Sequence, residues 1–268
     1  MKFKIGVCQP AVTQNRDENI KNAFKSVAAA ADMGAKAVLL PEIFTVPYTR
    51  RAIRENPEFP EGGLVEEMAA LAEKKGIYLF AGTIPEAEGE KRYNTCFVYD
   101  PRGNIIGKYR KTHLFDVDLG NLRFTESQLF ESGGSPLILD TELGRIGVAV
   151  CFDIRFSEYM VALGLKGVEL LMVPSAFAID TGESHWRILT RMRAIDSQAY
   201  LAGALSARNN ELSYKSYGHS IISDPWGLVI GELDEKEGVL VREIDTGNVG
   251  RIREGFPLLK GRRPELYI

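Results

Sequence analysis

Short apolar, β-branched runs alternate along this chain with stretches of helical periodicity, and that alternation constrains the fold more than any other feature. Strand-like segments are residues 4–9, 37–40, 77–83, 95–99, 105–108, 146–150, 170–174, 200–205, 220–223, 228–231 and 239–244. Between the first two lies a helical pattern over 17–33. There Ile20, Ala23, Phe24, Val27 and Ala31 share one face, with Asp17 to open the helix and Gly34 to close it. Residues 63–75, 155–165 and 184–198 are further helix candidates. The turn sequences Asp100-Pro101-Arg102-Gly103-Asn104 and Asp224-Pro225-Trp226-Gly227 each join two strand patterns and read as hairpins. Helices interleaved with hairpins imply an α/β protein with mixed β-sheets, two in number, rather than a purely parallel fold.

The 268 residues hold no Pro/Gly/Ser-rich linker, low-complexity tract or repeat, so residues 1–268 read as a single domain. Lys and Arg number 33 against 36 Asp and Glu, a balance with no electrostatic footprint for nucleic acid. Three cysteines (Cys8, Cys96, Cys151) argue against a disulfide framework and for a reducing compartment. No two of these and the three histidines (His113, His185, His219) sit at zinc-ligand spacing, so no metal is expected. The N-terminal apolar run is too short for a signal-peptide core, and no stretch approaches the roughly 18 apolar residues that cross a bilayer. The expectation is a cytoplasmic protein with no membrane partner.

Three strand patterns run into a reactive side chain: 37–40 into Pro41-Glu42, 105–108 into Tyr109-Arg110-Lys111, and 146–150 into Cys151. In α/β proteins ligands gather beyond the carboxyl ends of strands, where an acid, an amine and a thiol could share a cleft. Cys151 precedes the helix pattern at 155–165, and a helix N-terminus stabilises a thiolate; the bland alternative is a small buried hydrophobe, the reading kept for Cys8 and Cys96. Glu42, if buried, has the raised pKa of a general base; otherwise it is a solvated loop acid. Lys111 belongs to the basic cluster Lys108-Tyr109-Arg110-Lys111 and is either a solvated turn residue, like its neighbours, or an oxyanion stabiliser. The long connection 113–135 offers a second acid in Glu126, alternatively a cap or an exposed loop residue.

Other patterns fall short. Residues 103–108 are one residue short of a phosphate loop and lack its Ser/Thr, and no G-x-S-x-G elbow occurs. Trp186, Leu189, Met192 and Ile195 read as a core stripe. His185 and His219 read as packing residues, though either could partner a cysteine.

Taken together, Pro41-Glu42-Ile43-Phe44, Tyr109-Arg110-Lys111-Thr112-His113-Leu114-Phe115 and Val150-Cys151-Phe152-Asp153-Ile154-Arg155-Phe156 resemble the Glu, Lys and Cys signatures of the nitrilase superfamily, the carbon–nitrogen hydrolases. Phe124-Thr125-Glu126-Ser127 is similar to the segment that carries that family's second glutamate. Later segments, among them Pro174-Ser175-Ala176-Phe177 and Tyr217-Gly218-His219-Ser220, look most like the branch holding ω-amidase and deaminated-glutathione amidase. The chain departs from the pattern at Ser132-Gly133, where relatives commonly carry Pro-Gly, and at Glu183-Ser184, before the His-Trp pair.

The resemblance implies a four-layer αββα sandwich of the nitrilase type. It also implies a homodimer or higher homo-oligomer paired across its α surface, with the tail 255–268 at the interface. Its implied chemistry is amide hydrolysis through a thioester. Cys151 is the nucleophile, Glu42 the base and acid, Lys111 and the Phe152 backbone the oxyanion site, Glu126 a support, and Ala176 a substrate-side residue. The substrate is a small amide such as 2-oxoglutaramate, with deaminated glutathione, N-carbamoyl amino acids and nitriles as the family's other options. No cofactor is implied. Arg155, Arg187 and Arg191 are candidate cations for a substrate carboxylate, with an ion pair from Arg155 to Asp153 or Glu158 the competing expectation. A Cys–His hydrolase and a non-catalytic scaffold are the remaining function classes.

Overall fold

Two β-sheets packed face to face form the centre of the molecule, and helices cover the outer face of each. The computed structural model describes residues 1–61, 63–118, 120 and 123–267. The first part of the chain forms β1 (Lys2–Gln9), α1 (Arg16–Asp32), β2 (Ala35–Leu39), α2 (Arg50–Glu55), α3 (Leu64–Lys75), β3 (Tyr78–Phe80), β4 (Ile84–Glu88), β5 (Lys91–Tyr99), β6 (Ile105–Arg110), β7 (Asp116–Asp118) and β8 (Arg123–Thr125). The remainder forms β9 (Leu137–Thr141), β10 (Gly144–Val148), α4 (Ser157–Leu165), β11 (Leu170–Pro174), α5 (Ile179–Thr181), α6 (Arg187–Ser197), β12 (Tyr200–Ala204), β13 (Ile221–Ser223), β14 (Val229–Glu232), β15 (Gly238–Asp245) and α7 (Gly247–Gly255). One sheet runs β15-β1-β2-β3-β5-β4 with β6 also on β5; the other runs β14-β13-β12-β11-β10-β9; β7 and β8 make a separate ribbon.

Side-chain alternation explains the layering. Phe3, Ile5 and Val7 of β1, Ala37 and Leu39 of β2, and Tyr78 and Phe80 of β3 point between the sheets and meet Ile146, Val148 and Met172 of the second sheet. The alternate residues Cys8, Val38 and Leu79 point the other way, against Ile20, Ala23 and Val27 of α1 and Val65 and Met68 of α3. Strands buried on both faces have to be apolar throughout, which is why these runs are continuous in the sequence. On the far side, α6 packs on β12 and β13, and α4 packs beside α6. Gly203 on β12 lets the Trp186 ring lie against the strand, where a Cβ would clash with it. Four layers result, α1/α3, sheet, sheet, α4/α6, as the resemblance implied.

Both predicted hairpins form, joining β5 to β6 and β13 to β14. The first helix begins one residue early because Asn15, not Asp17, caps it: the Asn15 side chain accepts from the Asp17 and Glu18 amides at 3.0 and 3.1 Å. The strand expected at 77–83 stops at Phe80, and β4, β9, α2 and α7 were not anticipated. β4 hides because its Pro85, Glu86 and Glu88 interrupt the apolar pattern. The stripe of Trp186, Leu189, Met192 and Ile195 also fails in part, since Met192 is exposed. Steps of three residues drift round a 3.6-residue helix, and α6 instead buries Thr190, Ala194 and Ser197. Among the described residues no helix is long and apolar enough to cross a membrane.

Parallel pairing of β1, β2 and β3 in one sheet, and of β10, β11 and β12 in the other, sends several strand ends to one edge of the sandwich. There the loop after β2 is held by its neighbours: the Thr83 amide donates to the Pro41 carbonyl at 3.1 Å and the Ile43 amide to the Thr83 hydroxyl at 2.9 Å. Gly82 makes this approach possible, with φ +57 and no room for a Cβ against the Pro41 carbonyl oxygen. Gly82→Ala is expected to lower unfolding stability by about 2–3 kcal/mol, through strain and overpacking together. Urea denaturation of the two proteins checks this.

Candidate active site

Each anticipated reactive residue lies just past a strand. Glu42 follows β2, Lys111 is the residue after β6, Glu126 opens a short 3₁₀ turn after β8, and Cys151 lies three residues beyond β10. Strand alternation sorts the basic cluster. Tyr109 turns inward to Asp153, Lys108 and Arg110 bind the buried Glu86 carboxylate at 2.8–3.0 Å, and Lys111 turns into the site. None of the four is a plain solvated turn residue.

Lys111 Nζ lies 2.8 Å from Glu42 Oε1 and 2.8 Å from Glu126 Oε2, and all three side chains are fully buried. Asn94, on β5, donates through Nδ2 to Glu42 Oε1 at 2.8 Å and to Glu126 Oε1 at 2.9 Å. Glu126 also accepts from the Tyr48 hydroxyl at 3.1 Å and from the Phe115 amide at 2.6 Å. Burial pulls the Lys111 ammonium down, but the charges of Glu126 and Glu42 outweigh it and hold its pKa above the ordinary lysine value. Burial raises the Glu42 carboxyl; Lys111 opposes the rise and the Glu126 charge adds to it. Glu42 Oε2 is buried with no hydrogen-bond partner, and Cys151 is among the groups acting on the carboxyl.

Cys151 has φ +44, in the left-handed region where a non-glycine residue is strained by about 1–3 kcal/mol. Its thiol donates to the Ala176 carbonyl at 3.6 Å. Of the two readings of Cys151, the thiolate at a helix N-terminus is not what forms. The five residues Cys151–Arg155 are a 3₁₀ turn, and α4 starts only at Ser157. Burial, and then the Glu42 charge, push the thiol well above its ordinary pKa, with Lys111 opposing. The resting group is therefore a neutral thiol beside a base. Cys8 and Cys96 are buried in strands, and burial pushes the Cys8 thiol up to about 12, so both keep their packing role.

Asp153 was not anticipated as an organiser. Its buried carboxylate accepts from the Val150 amide at 2.8 Å, the Tyr109 hydroxyl at 2.7 Å and the His113 amide at 3.0 Å, and lies 2.7 Å from His113 Nδ1. It thus ties the cysteine turn to residues on either side of Lys111, and it is not available to Arg155. Arg155 forms no ion pair among the described residues, to Asp153 or to Glu158. Its guanidinium lies 5.0 Å from the Phe177 ring centroid and 3.3 Å from His185 Nδ1. Arg187 pairs with Glu232 and Arg191 donates to the Gly227 carbonyl, so neither reaches the site.

Cys151, Phe152, Arg155 and Ala176 line a cavity of about 330 Å³ with Phe177 and Tyr214, and Arg50 and Arg123 also border it. Asn94, Tyr48 and Tyr214 escaped the sequence reading; Asn94 sits just before the apolar run 95–99, among the polar residues Lys91, Arg92 and Thr95 of β5, and carries no distinguishing signal. No histidine is among the hydrogen-bond partners of Cys151 in the described residues. His185 is exposed beside Arg155, and His219 stacks on Tyr217 at 4.3 Å.

The family model for carbon–nitrogen hydrolases matches residues 4–254. The chain belongs to the carbon–nitrogen hydrolase family. This hydrolase is 41% identical over 267 residues to omega-amidase NIT2 of Xenopus tropicalis, covering 99% of this chain and 97% of that one. It is 37% identical to the human omega-amidase NIT2, over 99% and 96% of the two chains. The crystal structure of Saccharomyces cerevisiae Nit3, a member of branch 10 of the nitrilase superfamily, superposes with a TM-score of 0.89 at 34% identity, covering 98% of this chain and 97% of that one.

Because the lysine is the counter-charge to two buried acids, Lys111→Met is expected to cost this hydrolase about 3–5 kcal/mol of stability near neutral pH. Lys111 opposes the burial-driven rise of the Glu42 carboxyl, so removing the cation raises that pKa further above its unfolded value. The ionised form of Glu42 then opposes folding, and the deficit shrinks as pH falls and it protonates. Denaturant titrations at pH 7 and pH 5 read both effects.

Proposed function

We propose that this carbon–nitrogen hydrolase, as one domain spanning residues 1–268, cleaves a small ω-amide to its acid and ammonia through a thioester on Cys151. The observation that carries the reading is the buried Glu42–Lys111–Glu126 chain beside a neutral thiol that borders the cavity. Glu42 takes the Cys151 proton as the sulfur attacks the amide carbonyl. Two of the three Lys111 donors serve the glutamates, leaving one for the tetrahedral oxyanion, which the Phe152 N–H in the open first turn also faces. Protonated Glu42 returns its proton to the departing amine, the C–N bond breaks, and ammonia leaves. Glu42 then takes a proton from water as that water attacks the thioester, and the acid is released with the thiol restored. Glu126 fixes the lysine throughout.

The substrate side is argued from charge. Arg155 is a half-buried guanidinium without an ion pair among the described residues, and it lines the same cavity as Cys151. A distal carboxylate on the substrate satisfies it. The name of the Xenopus tropicalis and human relatives, omega-amidase, agrees with such a monoamide of a dicarboxylic acid. The exposed apolar residues Leu165, Ile188, Met192, Trp226, Leu228 and Phe256, on and around α4 and α6, support pairing into a homodimer, and the three free cysteines agree with a cytoplasmic setting.

Cys151→Ala and Glu42→Gln are each expected to abolish ammonia release from 2-oxoglutaramate and succinamate, while His185→Ala and His219→Ala retain it. The reverse pattern in a coupled ammonia assay would establish the Cys–His alternative. Arg155→Met is expected to raise KM for succinamate by about tenfold or more, the worth of a charged hydrogen bond, and to leave KM for neutral butyramide unchanged. Steady-state kinetics on the two amides separate these outcomes.

A further inference from the structure

Behind the substrate cavity lies a second, much smaller chamber of about 20 Å³. Its walls include Glu42, Val46, Ser206, Ala207 and Leu212, and it shares Tyr48, Ala176 and Tyr214 with the larger cavity. Cys151 borders only the larger space and Glu42 only the smaller one. A chamber of this size accommodates one water molecule and nothing larger, provided polar groups line it.

Two residues of its wall carry a polar atom with no geometric hydrogen bond, although the Cys151 thiol lies close enough to the Glu42 carboxylate to act on it. Glu42 Oε2 and the Tyr214 hydroxyl oxygen are both buried and neither makes a hydrogen bond, although Asn94 and Lys111 hold the other Glu42 oxygen firmly. A buried carboxylate oxygen and a buried phenol left unpaired each carry a desolvation cost of about 1–3 kcal/mol. A third small polar group between them removes both costs. The phenol also lies within charge range of Cys151 and Glu42, and burial followed by those two charges keeps it protonated well above the ordinary tyrosine range.

We propose that this chamber is the site of the hydrolytic water, and that Tyr214 is a further catalytic residue that acts in thioester hydrolysis and not in thioester formation. The inference rests on the thioester reading above. The water gives one O–H to Glu42 Oε2 and the other to the Tyr214 oxygen, which leaves a lone pair for the thioester carbonyl across the shared wall at Ala176. The O–C bond forms as Glu42 takes the proton. The C–S bond then breaks, and Glu42 passes that proton to the Cys151 sulfur. Separate spaces for acyl group and water fit the division in which Cys151 borders the larger space and Glu42 the smaller one.

The test is product partitioning in hydroxylamine with succinamate as substrate. Hydroxamate and acid arise from the same acyl-enzyme, so their ratio reads hydrolysis whichever step limits turnover. Tyr214→Phe, which removes only the hydroxyl, is expected to raise the hydroxamate-to-acid ratio by about tenfold, the worth of one hydrogen bond. Mass spectrometry should show more acylated Cys151 during turnover, with kcat and KM falling together. Ala207→Val, which narrows the chamber from its opposite wall, is expected to act in the same direction with Tyr214 intact. An unchanged ratio in both folded variants, or a fall in kcat/KM without acyl-enzyme accumulation, overturns the proposal for Tyr214 alone. Wild-type protein that never acylates Cys151 on any amide overturns it together with the thioester reading.

Discussion

A lysine ammonium with no solvent contact is among the costliest things a protein can bury, and the site of this hydrolase is arranged around making it tolerable. Lys111 is held between two carboxylates at 2.8 Å each, and Asn94 bridges those carboxylates from the other side. Such a cluster is stable only when every member is present, because removing one leaves an uncompensated charge in a low-dielectric interior. The loops after β2, β6 and β8 are therefore locked to each other by charge as well as by packing. Glu42 emerges as a carboxyl with a raised pKa, and Lys111 as a cation that stays charged.

The second organising element is the carboxylate of Asp153. It accepts from Val150, Tyr109 and His113, and so draws the end of the cysteine strand onto the lysine strand. Two residues at this edge, Ile43 and Cys151, hold positive φ angles that side-chain-bearing residues rarely adopt. Their strain is carried by the apolar burial of two sheets and by these hydrogen bonds. The outcome is that Cys151 borders the large cavity and Glu42 the small one. In the proposed chemistry that division lets a single glutamate serve two half-reactions.

Much of this was legible before any coordinates. The continuous apolar runs had to be strands buried on both faces, and the two turn sequences had to be hairpins, since local backbone chemistry leaves few alternatives. Glu42, Lys111 and Cys151 stood out because a reactive residue closing an apolar strand is conspicuous. β4 was hidden by Glu86, whose burial makes sense only once Lys108 and Arg110 are seen to meet it. Arg155 looked like a partner for Asp153 because the two are near neighbours in sequence, but the 3₁₀ turn aims Asp153 inward and leaves the guanidinium at the cavity.

By itself the sequence determined the layers, the family resemblance and the identity of three reactive residues, all consequences of local pattern and short motifs. Only the tertiary structure decided that the thiol rests neutral, that Asn94 and Tyr48 complete the charge cluster, and that Glu42 borders a small chamber whose wall at Tyr214 it shares with the larger cavity. Those features depend on distances between residues scores of positions apart and on the exclusion of water between them. Neither quantity is written in any single stretch of chain.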